Sequence, residues 1–349
     1  MSSNDNRDLP LHSLNSDFIV EHYLLTLQFQ DELDICRGIV HTFITPSPHR
    51  NTNLLILDLK DIAVVSVSKV DSSSVEIDSF LRDVESKKSY DSYCKWVSKL
   101  SATELKFSIE KWCIKIQTGD CDGAKLVRIE YTTTSKGNSL SRIRDGDGGF
   151  CCITTGSLIN NRSLFPYQDA PTLMSTWQLV VNVSSTFTVL STGDEQGVST
   201  NENNQNGMYF YTQTLLPLST FALAIGKWCC IDIDLSESMI PCKIYSSRGM
   251  DVSKMKDYIP SCSRVVSQIL GKHPVKKYDF LIVPKLVAYL GLASPGLIFI
   301  SPSILYGNDP LLERLGHEIS HSWFGISLGP KNWNEEWMSE GFATFFEVC

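Results

Sequence analysis

"GHEISHSWFGISLGPKNWNEEWMSEGFATFFEVC", Gly316 to Cys349, closes the chain. Its first part sets His317 and His321 four residues apart. On a helix that spacing puts both imidazoles on one side, a turn apart. Ring nitrogens so placed reach one zinc ion at about 2.0–2.1 Å. Glu318 follows the first His and points to the flank of the same ion, where it can take a proton from an attacking water. Leu311, Leu315 and Ile319 share one face of this helix, with Asp309 as N-cap and Pro310 at its first position.

A catalytic zinc needs a third protein ligand and one open position. Gly325 and Gly329-Pro330 end the first helix, and Asn334 would cap a second. That second helix carries Glu340, eighteen intervening residues after His321, enough for a turn and a return pass. Glu347 lies two helical turns further on the same face, where it would orient a ligating His by hydrogen bond. Alone, H-E-x-x-H is weak evidence, because two His on a helix are often ordinary surface residues. The helix break, the second helix and the spaced Glu strengthen it into a constellation. His317, His321 and Glu340 are the expected ligands of one zinc, and Glu318 the expected base. Trp323, Phe324, Trp337, Phe342, Phe345 and Phe346 read instead as packing between the two helices.

Upstream the pattern changes. "HYLLTLQF" (His22 to Phe29) alternates, with Tyr23, Leu25, Leu27 and Phe29 on one side, as a half-buried strand should. "RGIVHTFI", "LLILDL", "AVVSVSKV", "LKFSIEKWCIKI", "LVRIEYTT", "WQLVVNVSSTFTVL" and "MYFYTQTLL" continue it. So many short strands without helical spacers predict an antiparallel β saddle or sandwich. The polar stretch from Asp71 to Ser101 reads as an insertion with a helix between Ser79 and Leu100. Gly193 to Gly207, rich in Asn, Gly and Ser, reads as a hairpin loop. From about Ser236, helix and strand alternate. "VSKMKDYIPSCSRVVSQILGKHP" puts Ile259, Val265, Val266, Ile269 and Leu270 at helical spacing, and "YDFLIVP" and "LIFISPSIL" are buried strands. The expected division is 1–235, an N-terminal β domain, and 236–349, the first part of a mixed α+β metal-binding domain.

Composition narrows the function. The 349 residues are 42% hydrophobic and 20% charged, with a net charge of −8. An acidic chain is poorly suited to nucleic acid or to an anionic membrane surface. No apolar stretch is long enough to span a bilayer. "MSSNDNRDLPLHSLNSDF" lacks the basic start and apolar run of a secretory signal. The eleven cysteines are odd in number and form no C-x-x-C pair. They read as reduced residues of a cytoplasmic protein. Nothing in the sequence sets the oligomeric state.

"HEISHSWFG" and "WNEEWMSEGFA" together resemble the zinc aminopeptidase family with the H-E-x-x-H-x18-E signature. The similarity extends over nearly the whole chain, including "GSLINNRSLFPYQDAPTLMSTWQLVV" (Gly156 to Val181), which resembles the segment with the F-P-x-x-D-x-P pattern. The resemblance implies a β saddle, a thermolysin-like catalytic domain and a helical C-terminal domain, with peptides as substrates. It matches His317, His321 and Glu340 to the zinc ligands and Glu318 to the general base. Upstream, the family has G-x-M-E-N, whose Glu binds the substrate's α-amine. Here Gly291-Leu292-Ala293-Ser294 takes that place, with Ala293 where the Glu would stand, so the expected substrate-binding stretch lacks its charge. Glu335 or Glu336 is the candidate substitute. The family's oxyanion Tyr lies beyond the third ligand, past Cys349. The expectation is therefore a C-terminally truncated chain, a zinc aminopeptidase in kind, whose alternative role is non-catalytic binding of zinc or peptide. Any nuclear or nucleolar signal would lie in the missing region.

Overall fold

β-branched and aromatic side chains at alternate positions suit pleated, half-buried backbone, and the segments rich in them form strands. The computed structural model describes residues 10–30, 33–48, 52–70, 76–77, 79–80, 83, 96, 101–119, 125–145, 148–156, 158–200, 205–235, 240–284, 290–306 and 311–347. The first strands are β1 (Phe18–Phe29), β2 (Cys36–Pro46), β3 (Leu54–Asp58), β4 (Ile62–Val70), β5 (Ala102–Glu104), β6 (Phe107–Ile109), β7 (Cys113–Gln117) and β8 (Lys125–Thr133). Then come β9 (Leu140–Arg144), β10 (Phe150–Thr154), β11 (Ser175–Ser184), β12 (Thr188–Ser191), β13 (Asp194–Thr200), β14 (Gln205–Leu216) and β15 (Leu223–Gly226). The last five are β16 (Cys229–Ile233), β17 (Cys242–Ser246), β18 (Tyr278–Ile282), β19 (Gly291–Ser294) and β20 (Leu297–Ile300). The helices that build the site region are α1 (Ser253–Leu270), α2 (Ser303–Tyr306), α3 (Arg314–Ser320) and α4 (Glu336–Glu347).

The chain divides into two compact units that interleave in sequence. One comprises residues 1–140, 158–185 and 193–219, the other 141–157, 186–192 and 220–349. The cut expected at 235/236 falls inside the second unit, because β9, β10, β12 and β15 form a four-stranded sheet there. The stretch "WQLVVNVSSTFTVL" accordingly yields two strands, β11 and β12, in different sheets.

In the first unit, eight strands lie in the order β13-β14-β11-β1-β2-β8-β4-β5. Their pairings are antiparallel except that of β1 with β11, which run parallel with His22 opposite Thr176. A three-stranded sheet, β3-β7-β6, completes the strands of this unit. Tyr23, Leu25, Leu27 and Phe29 are buried as their alternation predicts. Leu24, on the opposite face, is buried too, packed with Phe43, Phe80, Leu126 and Val180. Both faces of β1 are therefore covered at its middle, around His22 and Leu24, while Gln28 stays exposed. His22 survives this burial because Thr176 Oγ1 and Gln178 Oε1 meet its ring nitrogens at 2.6 and 2.8 Å. Asp169, from the F-P-x-x-D-x-P stretch, pairs with the buried Arg162 at 2.5 Å, and Arg162 Nη1 donates to the Pro10 carbonyl at 2.6 Å. That Asp serves the fold of this unit.

Most of the described part of Gly193 to Gly207 is strand rather than loop. Residues 194–200 form β13 in register with β14, so the ladder supplies the backbone partners that a polar loop would seek in water. The helix expected over 79–100 lies almost wholly outside the described residues; residues 76–77, 79–80 and 96 are helical.

The second unit's larger sheet has the order β16-β17-β18-β20-β19, with β17, β18 and β20 parallel and both edge strands antiparallel. α1 buries Met255, Ile259 and Val266 in the same core as Phe280, Ile298, Leu315 and Ile319. Its apolar stripe is narrower than expected, since Val265 and Ile269 are exposed. Gly271, at a φ of 87°, ends the helix in a conformation that a side chain would strain. No helix among the described residues is long and apolar enough to cross a membrane.

Candidate metal centre

α3 and α4 owe their return geometry to the residues between them. Gly325 sits at a φ of 103°, which turns the chain out of α3, and its N–H donates to the Leu328 carbonyl at 2.9 Å. The entry to α4 is capped by Asn332, whose Oδ1 accepts the N–H of Asn334 at 3.0 Å. Asn334 is thus the capped residue rather than the cap, because a 3₁₀ turn over Trp333–Glu335 precedes the α-helix. Asp309 and Pro310 lie outside the described residues. Phe324 stacks on Phe342 and Phe346 at 4.7 and 5.8 Å between ring centroids, which packs α4 against the turn after α3. Trp337 is 70% exposed, and Phe345, 59% exposed, meets Phe346 edge-on at 5.3 Å between ring centroids.

The result is a convergence of three donors. His317 Nε2 and His321 Nε2 stand 3.0 Å apart. Glu340 Oε2 is 3.3 Å from the first, and Glu340 Oε1 is 3.7 Å from the second. Ligands about 2.0–2.1 Å from a tetrahedral centre are about 3.3–3.4 Å from each other. The donor set therefore fits zinc in spacing and in kind, with two imidazoles and one carboxylate leaving a fourth position for water or substrate.

The far side of each ring decides whether those lone pairs are available. His321 Nδ1 lies 3.0 Å from the Phe324 carbonyl, an acceptor only, so Nδ1 carries the proton and Nε2 is free to ligate. His317 Nδ1 lies 3.2 Å from Glu347 Oε2 and 3.1 Å from Arg314 Nη1. Arg314 Nη1 already donates to Glu347 at 2.7 Å. A ring that presents Nε2 to a metal carries its proton on Nδ1, and Glu347 Oε2 is the acceptor within reach of that proton. Burial lowers the proton affinity of His321, which keeps it neutral as a ligand must be. The His317 imidazole beside it holds Glu340 below the usual carboxylate range, despite partial burial.

Glu318 is 3% exposed, and burial pushes its carboxyl up to about 8. Arg314 opposes that rise, Glu340 and Glu347 add to it, and a hydrogen bond from the Ala293 amide opposes it. β19 thus meets the site with its backbone. Gly291 lies against the Glu318 carboxyl so closely that a Cβ there would overlap it. Along this strand Leu292 points to a different apolar cluster from Ala293, as period-two alternation requires, and Ser294 is buried. Glu335 is committed to accepting the Lys331 N–H at 2.9 Å. Glu336, one turn before Glu340, is partly buried, and burial followed by the Glu340 charge raises its proton affinity.

Comparison with known proteins identifies the family. Residues 19–221 match the peptidase M1 N-terminal domain, and residues 261–349 match the peptidase family M1 domain. The chain belongs to peptidase family M1. Among M1 relatives, it is 32% identical to aminopeptidase O of Rattus norvegicus over 85% of this chain and 45% of that protein. It is 27% identical to aminopeptidase B of Mus musculus over 55% of this chain and 29% of that one. The chain thus spans under half the length of these M1 relatives. In fold it resembles yeast LTA4 hydrolase in complex with bestatin, with a TM-score of 0.77, 20% identity, and coverage of 99% of this chain and 50% of that one. It also resembles the M1 zinc metallopeptidase from Deinococcus radiodurans, with a TM-score of 0.71, 17% identity, and coverage of 95% of this chain and 70% of that one. An N-terminal β domain followed by the start of the M1 catalytic domain is the architecture these matches share with the present chain.

Arg314 is the site residue that the sequence motifs do not single out. The available signal is its position, three residues before His317 and four before Glu318, which sets it on their side of the helix.

Proposed function

We propose that this chain carries the metal and base machinery of a zinc-dependent aminopeptidase that removes N-terminal residues from short peptides. The observation that supports it most is the convergence of His317 Nε2, His321 Nε2 and the Glu340 carboxylate beside a buried Glu318. These three residues would hold zinc. When bound, zinc supplies Lewis acidity, polarising the scissile carbonyl and activating water near neutral pH.

This chain's own residues supply the rest. Glu318 takes a proton from the attacking water and returns it to the leaving amine, a shuttle favoured by a carboxyl whose proton affinity is already raised. Glu347 keeps His317 in the ligating tautomer. β19, at the edge of its sheet, offers Gly291 to Ser294 to an extended peptide by strand addition. Ala293 brings no charge for the substrate's ammonium. Of the two candidate substitutes, Glu335 is engaged with the Lys331 amide, which leaves Glu336 for that task. The acidic net charge suits substrates with a basic first residue. The free thiols, Cys229 and Cys230 exposed among them, suit a reducing compartment, and we place the protein in the cytoplasm.

The exposed aromatic face of α4, with Trp337, Phe342 and Phe345, favours a second reading. In it the chain binds zinc and a partner or peptide without turnover. One experiment separates the two. Zinc content of the purified chain is measured, then hydrolysis of aminoacyl reporter substrates, with and without chelator, for the parent and Glu318→Gln. Chelator-sensitive turnover lost in Glu318→Gln supports the aminopeptidase. Stoichiometric zinc without turnover supports the binding form, and absence of zinc removes both.

A further inference from the structure

Nothing in the H-E-x-x-H pattern calls for a guanidinium, yet Arg314 reaches three of the groups around the candidate metal. Its Nη1 donates to Glu347 Oε2 at 2.7 Å. The same nitrogen stands 3.1 Å from His317 Nδ1. Its Nε, buried and without a hydrogen-bond partner, lies 3.9 Å from Glu318 Oε1. One side chain on α3 is therefore bonded to the carboxylate beside a candidate ligand and stands next to that ligand and the proposed base.

The arrangement has a physical logic. Glu347 sits in the last turn of α4 with its side chain 21% exposed. A carboxylate so placed is free to turn to water, and His317 would then lose the acceptor that fixes its tautomer. An ion pair to Arg314 removes that freedom, and its partial burial spares it much of the screening of an open surface pair. The pair also joins α3 to α4 at a point independent of the metal, so the His317 ring keeps its aim in the metal-free protein. Arg314 further offsets the carboxylates Glu318, Glu340 and Glu347, whose mutual repulsion works against their gathering.

We propose that Arg314 is a positioning residue of the metal centre. It clamps Glu347 so that His317 presents Nε2 to the metal, and its Nε edge borders Glu318. This inference rests on the reading that His317, His321 and Glu340 hold zinc.

The test is a double-mutant cycle on zinc affinity, measured by competition with a chromophoric chelator. It uses the parent, Arg314→Met, Glu347→Gln and the double variant, with thermal unfolding of each metal-free protein alongside. Arg314→Met is expected to weaken zinc binding about 10- to 100-fold, the range for partners that orient ligands. If Arg314 acts through Glu347, the double variant binds no more weakly than the weaker single variant. Arg314→Lys is expected to restore only part of the loss, since an ammonium cannot span two contacts in a fixed plane. A purely structural Arg314 would lower the unfolding temperature and leave affinity unchanged. That result, or losses that add in the double variant, overturns the proposal. If Arg314→Met does not fold, Arg314→Lys with Glu347→Gln gives the same cycle. A parent that takes up no zinc defeats the ligand reading itself, and this one with it. A parent that binds zinc, with Arg314→Met equal to it, defeats this inference alone.

Discussion

Gly291 and Glu318 meet so closely that a Cβ on the first would fall 2.3 Å from both Cδ and Oε1 of the second. The obstructing atoms belong to the end of a side chain, so the fold can absorb an added methyl by moving the carboxyl. Gly291→Ala is therefore expected to leave the unfolding temperature and zinc content near the parent's. Turnover should fall about 10²-fold, the typical effect of displacing a catalytic group by about 1 Å. Parent-like kcat in a Gly291→Ala protein would show that the position of Glu318 is not set by this contact.

Loss of a ligand should separate metal affinity from stability. Glu340 is 55% exposed at its side chain, so Glu340→Ala removes little buried surface. The metal-free Glu340→Ala protein is expected to unfold within about 0.5 kcal/mol of the metal-free parent, while zinc no longer copurifies at one equivalent. His321→Ala should likewise abolish stoichiometric zinc. Metal analysis and calorimetry on the same preparations decide the matter. Undiminished zinc in Glu340→Ala would remove Glu340 from the ligand set.

Local periodicity makes the metal helix, the return helix and most strands legible in the amino-acid sequence. His317 and His321 are neighbours because of spacing alone, and Gly325 has to interrupt the helix for Glu340 to come back. Contacts made across the fold leave no such local trace. The second buried face of β1 depends on Phe43 and Leu126 from other strands. The parallel pairing of β1 with β11 depends on a return of more than a hundred residues. As a glycine in the substrate-binding stretch, Gly291 suggests close approach of a peptide, whereas its near neighbour is Glu318. Asn332 and Asn334 both suit a helix cap, and only the 3₁₀ turn between them decides which one acts. Arg314 carries no signature, since its meaning comes from Glu347, at the far end of another helix.

Recognition of a free amine needs a negative charge that is not spent elsewhere. Glu340 faces the two imidazoles, Glu347 is held by Arg314 and His317, and Glu335 holds the Lys331 amide. Glu336→Gln is accordingly expected to raise KM for substrates with a free N-terminus about tenfold or more, with zinc content unchanged. N-acetylated reporters, which lack the ammonium, serve as the control. Equal KM values in parent and variant would assign amine recognition to another group.

Glu318 also makes a prediction about pH that needs no turnover. Burial raises its carboxyl from the ordinary 4.5 to about 8. Between those values the folded chain holds a proton that the unfolded chain has released, so stability from this group falls as pH rises. Above about 8 the folded protein carries the full cost of a buried carboxylate, on the order of a few kcal/mol, and below about 4.5 the cost vanishes. Glu318→Gln removes the titration while keeping the shape. The metal-free Gln variant should therefore match the parent near pH 5 and outlast it by several degrees at pH 8 to 9. Zinc should narrow that gap, because a nearby divalent charge favours the ionised carboxyl. Thermal unfolding of chelator-treated parent and variant across pH 5 to 9 provides the measurement. Parallel curves would mean that Glu318 keeps an ordinary carboxylate pKa, and the shuttle would lose the raised proton affinity on which its return step relies.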